Sequence, residues 1–386
     1  ATYGQVAKLT ASDAASGDYF GYSVAIDGNT VVIGANGDDS YTGSAYVFRT
    51  TDGGVTYGQV AKLSASDASS GDDFGSFVAI GGSTVVVGAH GDDDGGSWSG
   101  SAYVFLTTDG GATYDQVAKL KAADAAANDH FGCSVAIDGD TIVIGAWGKD
   151  STTGAAYVFR TSDGGATYSQ VAKLAADDAA AGDFGFRVAI NGGTVVVGAS
   201  SDRGAVYVFL TTDGGATYGQ VAKLTADDAA SGDQLGRAVA IDGDTIVAGA
   251  NYAGTGGAAY LFLTTDGGAT YGQVAKLTAS DGAAGDRFGE SVAIDGQKVV
   301  VGAYDNDDAG SNSGSAYVFA LPSTDYAQLA KLVAGDAASG DRFGVSVAVD
   351  GDTVVVGADG ENGGKGAVYV LRTSDGGATY GQVAKL

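Results

Sequence analysis

Residues 20–63 set out one complete cycle of hydrophobic and polar positions. Phe20, Tyr22, Val24 and Ile26 alternate with Gly21, Ser23 and Ala25, the period-2 pattern of a strand. Asp27-Gly28-Asn29 follows, a D-G turn of the kind that closes tight hairpins. Thr30–Ala35 (TVVIGA) is a β-branched run long enough for one buried strand. A polar loop, 36–43, leads to a third strand at Ser44–Thr50. Thr51-Asp52-Gly53-Gly54 then turns the chain into a fourth strand at Tyr57–Leu63. A small-residue connector, 64–72, passes on to the next cycle.

The cycle repeats. The pairs Phe20-Gly21, Phe74-Gly75, Phe131-Gly132, Phe184-Gly185, Leu235-Gly236, Phe288-Gly289 and Phe343-Gly344 open it seven times, about 54 residues apart. A strand close to TYGQVAKL closes it at 2–9, 56–63, 113–120, 167–174, 217–224, 270–277, 325–332 and 379–386. Units this small cannot bury their own apolar face, so the period indicates a propeller or stacked array. The pattern predicts one all-β domain over 1–386, a seven-bladed β-propeller of four-stranded antiparallel blades. The predicted blades are 20–63, 74–120, 131–174, 184–224, 235–277, 288–332 and 343–386, with 1–9 as an extra outer-type strand. An open superhelical array of the same blades is the alternative; closure is favoured because it leaves only short, protected edges. Gly34-Ala35 and its equivalents suit close approach between blades.

Seven blades need seven outer strands, and the chain offers eight. Either 379–386 completes the last blade and 2–9 is spare, or 2–9 closes the ring as a strap and 379–386 is spare. A spare regular strand can add to a neighbour's sheet edge. This predicts self-association, as a homo-oligomer or filament, or continuation into further repeats.

Composition narrows the function. Hydrophobic content of 45% supplies a core, and 66 Gly with one Pro fit many tight turns. A net charge of −26 argues against nucleic acid and anionic membranes as partners. No apolar run approaches the roughly 18 residues of a membrane span, so no membrane insertion is expected. Only Glu290 and Glu361 interrupt an otherwise all-Asp acidic set, which favours turns and acidic loops over helices. Cys133 is the only cysteine and reads as a small buried apolar residue. No signal peptide, Met or Asn-x-Ser/Thr sequon occurs, and the chain reads as a mature or trimmed product.

Phe-Gly opening one strand and Gly-Ala closing the next resembles the FG-GAP repeat family, known from the integrin alpha-subunit head. The final Pro of the family name is absent, and one repeat reads Leu235-Gly236. The resemblance implies a propeller with a recognition or adhesion role outside the cell. The segment 50–57 is similar to the Asp-box hairpin of sialidases, recurring at Asp109, Asp163, Asp213, Asp266 and Asp375 and lost around Pro322. In those families the box stabilises a hairpin away from the catalytic centre, so it implies fold and not hydrolysis. Many FG-GAP repeats carry a calcium loop between the first two strands. Here that loop has shrunk to stubs such as Asp27-Gly28-Asn29, too few oxygens for a Ca²⁺ site.

A different acidic pattern is periodic. The connectors hold Asp13/Asp18, Asp67/Asp72, Asp124/Asp129, Asp178/Asp183, Asp228/Asp233, Asp281/Asp286 and Asp336/Asp341. Up-and-down connectivity puts these on one face with the second-to-third-strand loops, which bear Asp38, Asp39, Asp92, Asp93, Asp305 and Asp307. Two roles remain open: hard-cation binding, with Ca²⁺ foremost, or turn capping with the surplus charge solvated. Strict repetition favours a structural role either way. His90 and His130 fall in different blades without a Ser or Cys partner, so catalysis is not expected. Sialidase-like chemistry would want an arginine cluster at the ring centre with a Tyr nucleophile; Arg187 and Arg237 follow the Phe/Leu-Gly pair and Arg287 and Arg342 precede it, and they equally suit ordinary ion pairs with neighbouring Asp. Trp98, Trp147 and Tyr252 are candidate sugar-stacking residues. The sequence thus reads as a non-enzymatic extracellular structural or adhesive protein, self-associating or binding another extracellular protein or glycan. A glycan-binding or sialidase-like propeller is the alternative.

Overall fold

The computed structural model describes residues 4–178, 182–321 and 326–373. Its strands form seven four-stranded antiparallel sheets. Six blades use four consecutive strands; the first, for example, pairs Ser23–Asp27, Thr30–Ala35, Ser44–Arg49 and Gly58–Leu63 in that order. The seventh uses three local strands, Val347–Asp350, Thr353–Ala358 and Ala367–Arg372, and takes its outer strand from Gly4–Leu9. The outer strand of that blade is therefore the N-terminal copy, Gly4–Leu9, which closes the ring as a strap. The segment 379–386 lies outside the described residues. Blade seven also touches blade one through the Phe20–Gly366 bridge and the Ser346 hydroxyl, which donates to the Gly21 carbonyl at 2.8 Å. The ring is closed, which removes the open array.

Second and third strands are buried almost throughout, as their β-branched runs require, while outer strands alternate exposed and half-buried. Each opening phenylalanine is fully buried with its ring edge against the tyrosine of its own third strand, as in Phe20–Tyr46 at 5.4 Å. The glycine after it stacks on the Gly-Ala glycine of the preceding blade. A Cβ on Gly34 would fall on the Gly75 carbonyl, and Gly88/Gly132, Gly145/Gly185, Gly198/Gly236, Gly249/Gly289, Gly302/Gly344 and Gly357/Gly21 repeat this contact. The two glycine-containing halves of the repeat are thus the two sides of one blade-to-blade contact.

Among the described residues, helix is confined to three four-residue turns, such as Asp38–Tyr41, and Asp39, Ser40 and Tyr41 there have left-handed φ values of 52 to 64°. In the hairpins between third and fourth strands, Asp52 accepts from the Val55 and Thr56 amides and from the Thr50 and Thr56 hydroxyls. The same cage surrounds Asp109, and Asp163, Asp213 and Asp266 also accept from both flanking threonines; Asp375 lies outside the described residues. These hydrogen bonds hold the hairpin carboxyls well below the usual range.

Candidate binding face

The periodic carboxylates are committed to the ring. The first Asp of each connector accepts from a third-strand tyrosine hydroxyl of the blade it enters, at 2.7 to 3.1 Å: Asp13 from Tyr46, Asp67 from Tyr103, Asp124 from Tyr157, Asp178 from Tyr207, Asp228 from Tyr260, Asp281 from Tyr317 and Asp336 from Tyr369. The outer-strand lysine of that blade completes a clasp, at 2.5 to 2.7 Å in six blades and between Lys223 and Asp178 in the remaining one. The second Asp turns inward and caps an amide three residues back, as Asp18 does for Ala15 and Asp72 for Ser69. Asp129, Asp233, Asp286 and Asp341 do the same. Asp183 is half-buried, and burial raises its carboxyl.

Loop acids join the clasps or order their own loops. Asp38 and Asp92 reach the lysines Lys62 and Lys119. Asp93 and Asp307 accept from the Trp98 and Asn312 amides, Asp305 faces Arg287 at 3.6 Å, and Asp39 is exposed. Among the described residues, one acidic trio has metal-like spacing: Asp67, Asp92 and Asp94, with ligand oxygens within 4.8 Å of one another. That trio could hold a metal, but Lys119 Nζ already lies among its oxygens at 2.6, 2.8 and 2.7 Å. A Ca²⁺ ion would have to displace the ammonium.

The sugar-stacking candidates lie where the repeats stop matching. The same face opens at the ring centre, and three sets of positions meet there: the residue before each Phe/Leu-Gly pair, those just after it, and the residue after each Gly-Ala. These positions differ between blades. On the side of blades two and three, His130 stacks on Trp147 at 4.6 Å with its plane tilted by 9°. Trp98 and His90 lean on His130 at 5.4 and 6.0 Å. Across the opening, Arg287 lies 3.7 Å over the Tyr252 ring and Arg342 lies 5.0 Å over Tyr304. Arg342 also pairs with Asp359 at 3.1 Å.

Deeper in, Glu290 Oε1 accepts from Arg237 at 2.7 Å and Oε2 accepts from Asn251 at 2.6 Å. Arg187 reaches from blade four across blade three to Phe77 of blade two, which places its guanidinium in the central channel. It is held 4.4 Å from both the Phe77 and the Phe186 rings. Phe77 and Arg187 stand where the other five blades carry Ser or Ala, and that exchange is the sequence signal for this site. The repeats therefore do contain a symmetry-breaking centre. Along the chain it shows only as isolated exchanges, because its members are scattered over six of the seven blades.

The electrostatics are uneven as well. Burial pushes the carboxyls of Asp73 and Asp359 up to about 6 and the imidazole of His90 down to about 4. Asp359 Oδ1, Asn251 Oδ1 and the Nδ1 atoms of His90 and His130 are buried without a hydrogen-bond partner. Such groups concentrate where a ligand is to be met. Cys133 is buried beneath, its thiol pushed up to about 11 by desolvation, and is a packing residue.

The family profile described as the FG-GAP repeat matches residues 3–48, 57–105, 114–159, 168–209, 218–262, 271–319 and 326–371, and the chain belongs to that family. Among solved structures, it is similar to the crystal structure of Saccharomyces cerevisiae Sqt1. The likeness covers 90% of this chain and 82% of that one at 11% identity and a TM-score of 0.50, which is a likeness of fold. No curated protein matches the chain. No helix among the described residues is long and apolar enough to cross a membrane.

Proposed function

We propose that this propeller is a non-enzymatic recognition module of the structural or adhesive kind, working outside the cell, and that its ligand meets the connector-face mouth. One observation carries this reading: the positions at which seven near-identical repeats diverge gather in that mouth. Clasps, hairpin cages and glycine contacts repeat around the ring and build a rigid frame, while the mouth offers aromatic faces, guanidiniums and unpartnered polar atoms. The family resemblance supports the location outside the cell. The test is binding to a glycan array and a panel of extracellular-matrix proteins. Ligand capture should be lost in Trp98→Ala and Trp147→Ala and kept in Val171→Ala on an outer strand. Capture that survives both mouth substitutions sinks the assignment.

Self-association is a second reading, favoured by a specific coincidence. Residues 2–9 and 379–386 both spell TYGQVAKL, and the seventh blade has one outer place, filled here by Gly4–Leu9. Either copy brings the same side chains to it, so the copy left over can serve another ring by strand addition. The full chain should form concentration-dependent oligomers in mass photometry, and deletion of either 1–9 or 379–386 should leave monomers. A full chain that stays monomeric at high concentration counts against it.

A further inference from the structure

We propose that Arg187 is the seat of a carboxylate carried by a saccharide ring; this rests on the mouth being the binding site. Four of the chain's eight arginines converge on the channel, and three face carboxylates: Arg237 on Glu290, Arg287 on Asp305 and Arg342 on Asp359. Among the described residues, Arg187 has no carboxylate within ion-pair distance. Glu290 acts on it electrostatically, but both Glu290 oxygens are already hydrogen-bonded, to Arg237 and Asn251. A guanidinium without a carboxylate partner in a half-buried channel is costly unless something completes it.

Its setting selects the ligand. Phe77 and Phe186 cover the guanidinium on two sides, and Nη1 donates to the Phe186 carbonyl at 2.9 Å. Only part of its planar donor edge remains, which suits a flat two-oxygen acceptor. Desolvation and the neighbouring Arg237 bring the Arg187 guanidinium down to about 10, so the charge a ligand would neutralise is under electrostatic stress. Arg187 acts electrostatically on His90, which leans on a wall of Trp98, His130 and Trp147 with broad aromatic faces, and Trp98 is 44% exposed. Aromatic faces pack against the apolar faces of sugar rings. A carboxylate beside a sugar ring, as in a uronic acid, matches both halves of the site.

The test is titration calorimetry and NMR of the full chain with glucuronate, glucose and a short Asp-containing peptide. Arg187→Gln and Trp147→Ala are compared with Arg203→Gln on an exposed loop, and folding of each variant is checked by thermal melting. Glucuronate should bind at least about tenfold more tightly than glucose, the scale of one charge-assisted hydrogen-bonded pair. That preference should vanish in Arg187→Gln and persist in Arg203→Gln, while Trp147→Ala should weaken both sugars together. Equal binding of the two sugars, or a preference unchanged in Arg187→Gln, overturns the seat. Tighter binding of the acidic peptide overturns the saccharide. Loss of array or matrix binding in the Trp98 and Trp147 variants with no effect at Arg187 would leave the mouth as the binding site and remove the carboxylate seat alone.

Discussion

At the scale of single residues, glycine and buried charge decide most. Gly34 has no room for a side chain because the Gly75 carbonyl fills that space, whereas nothing lies within 4 Å of a Cβ built on Gly58. Gly34→Ala should cost about 1–3 kcal/mol or more through overpacking, and Gly58→Ala should stay within about 0.5 kcal/mol, both read from denaturant midpoints. His90 makes a separate prediction. Its imidazole sits lower in the folded ring than in the unfolded chain, so the unfolded state takes up a proton first as pH falls. Its contribution is complete above about pH 6.5 and is lost as pH falls towards about 4. Asp359, raised to about 6, acts in the opposite sense over about pH 4 to 6, because its neutral form suits the fold. His90→Gln should therefore flatten the fall in stability below pH 6.5, and Asp359→Asn should steepen it, in melts taken across that range.

Among the elements, the Tyr–Asp–Lys clasp ties each incoming connector to the third and outer strands of the next blade. In blade two Lys119 spreads its charge over three carboxylates. Removing that ammonium leaves a trio with cation-like spacing and nothing inside it. Lys119→Ala should be less stable than the parent, and Ca²⁺ should raise its melting temperature more than it raises that of the parent. Equal calcium shifts in the two proteins would show that the ammonium does not occupy the cation's place. Tyr317→Phe keeps the ring packed on Phe288 and loses the bond to Asp281, so it should cost about 1 kcal/mol in the same assay.

Across the whole molecule, the inner strands line an open pocket of about 330 Å³ near the opposite face, formed by Ile26, Ile137, Ile190, Ile241, Ile294 and Val349 and by the polar residue after each. Those polar residues link the ring. Asp27 accepts from the Gly82 amide of the next blade at 2.6 Å, and Asp138, Asn191, Asp242, Asp295 and Asp350 do the same around to Gly28. Gly81 stands at the seventh position and has no side chain to reach Gly139. Its φ is not left-handed, and a Cβ there meets only the Ile137 side chain at 3.3 Å. Gly81→Asp should complete the circuit and stabilise the ring by about 0.5–1.5 kcal/mol, seen as a higher melting temperature. No gain would show that these links hold position without adding stability.

The sequence by itself determined the strands, the turns, the period and the number of blades, because each depends on spacing within some 50 residues. It also exposed the surplus closing strand. Three things were decided only by the tertiary structure. Which copy fills the last blade could not be read from two identical segments, since the choice lies in pairing with Ala367–Arg372. The partners of the connector acids were hidden because Asp67 meets Tyr103 and Lys119 about 36 and 52 residues away. The mouth was hidden most completely. Each repeat contributes only a few unlike residues to it, and they become one surface only when seven blades turn the same edge towards a common axis.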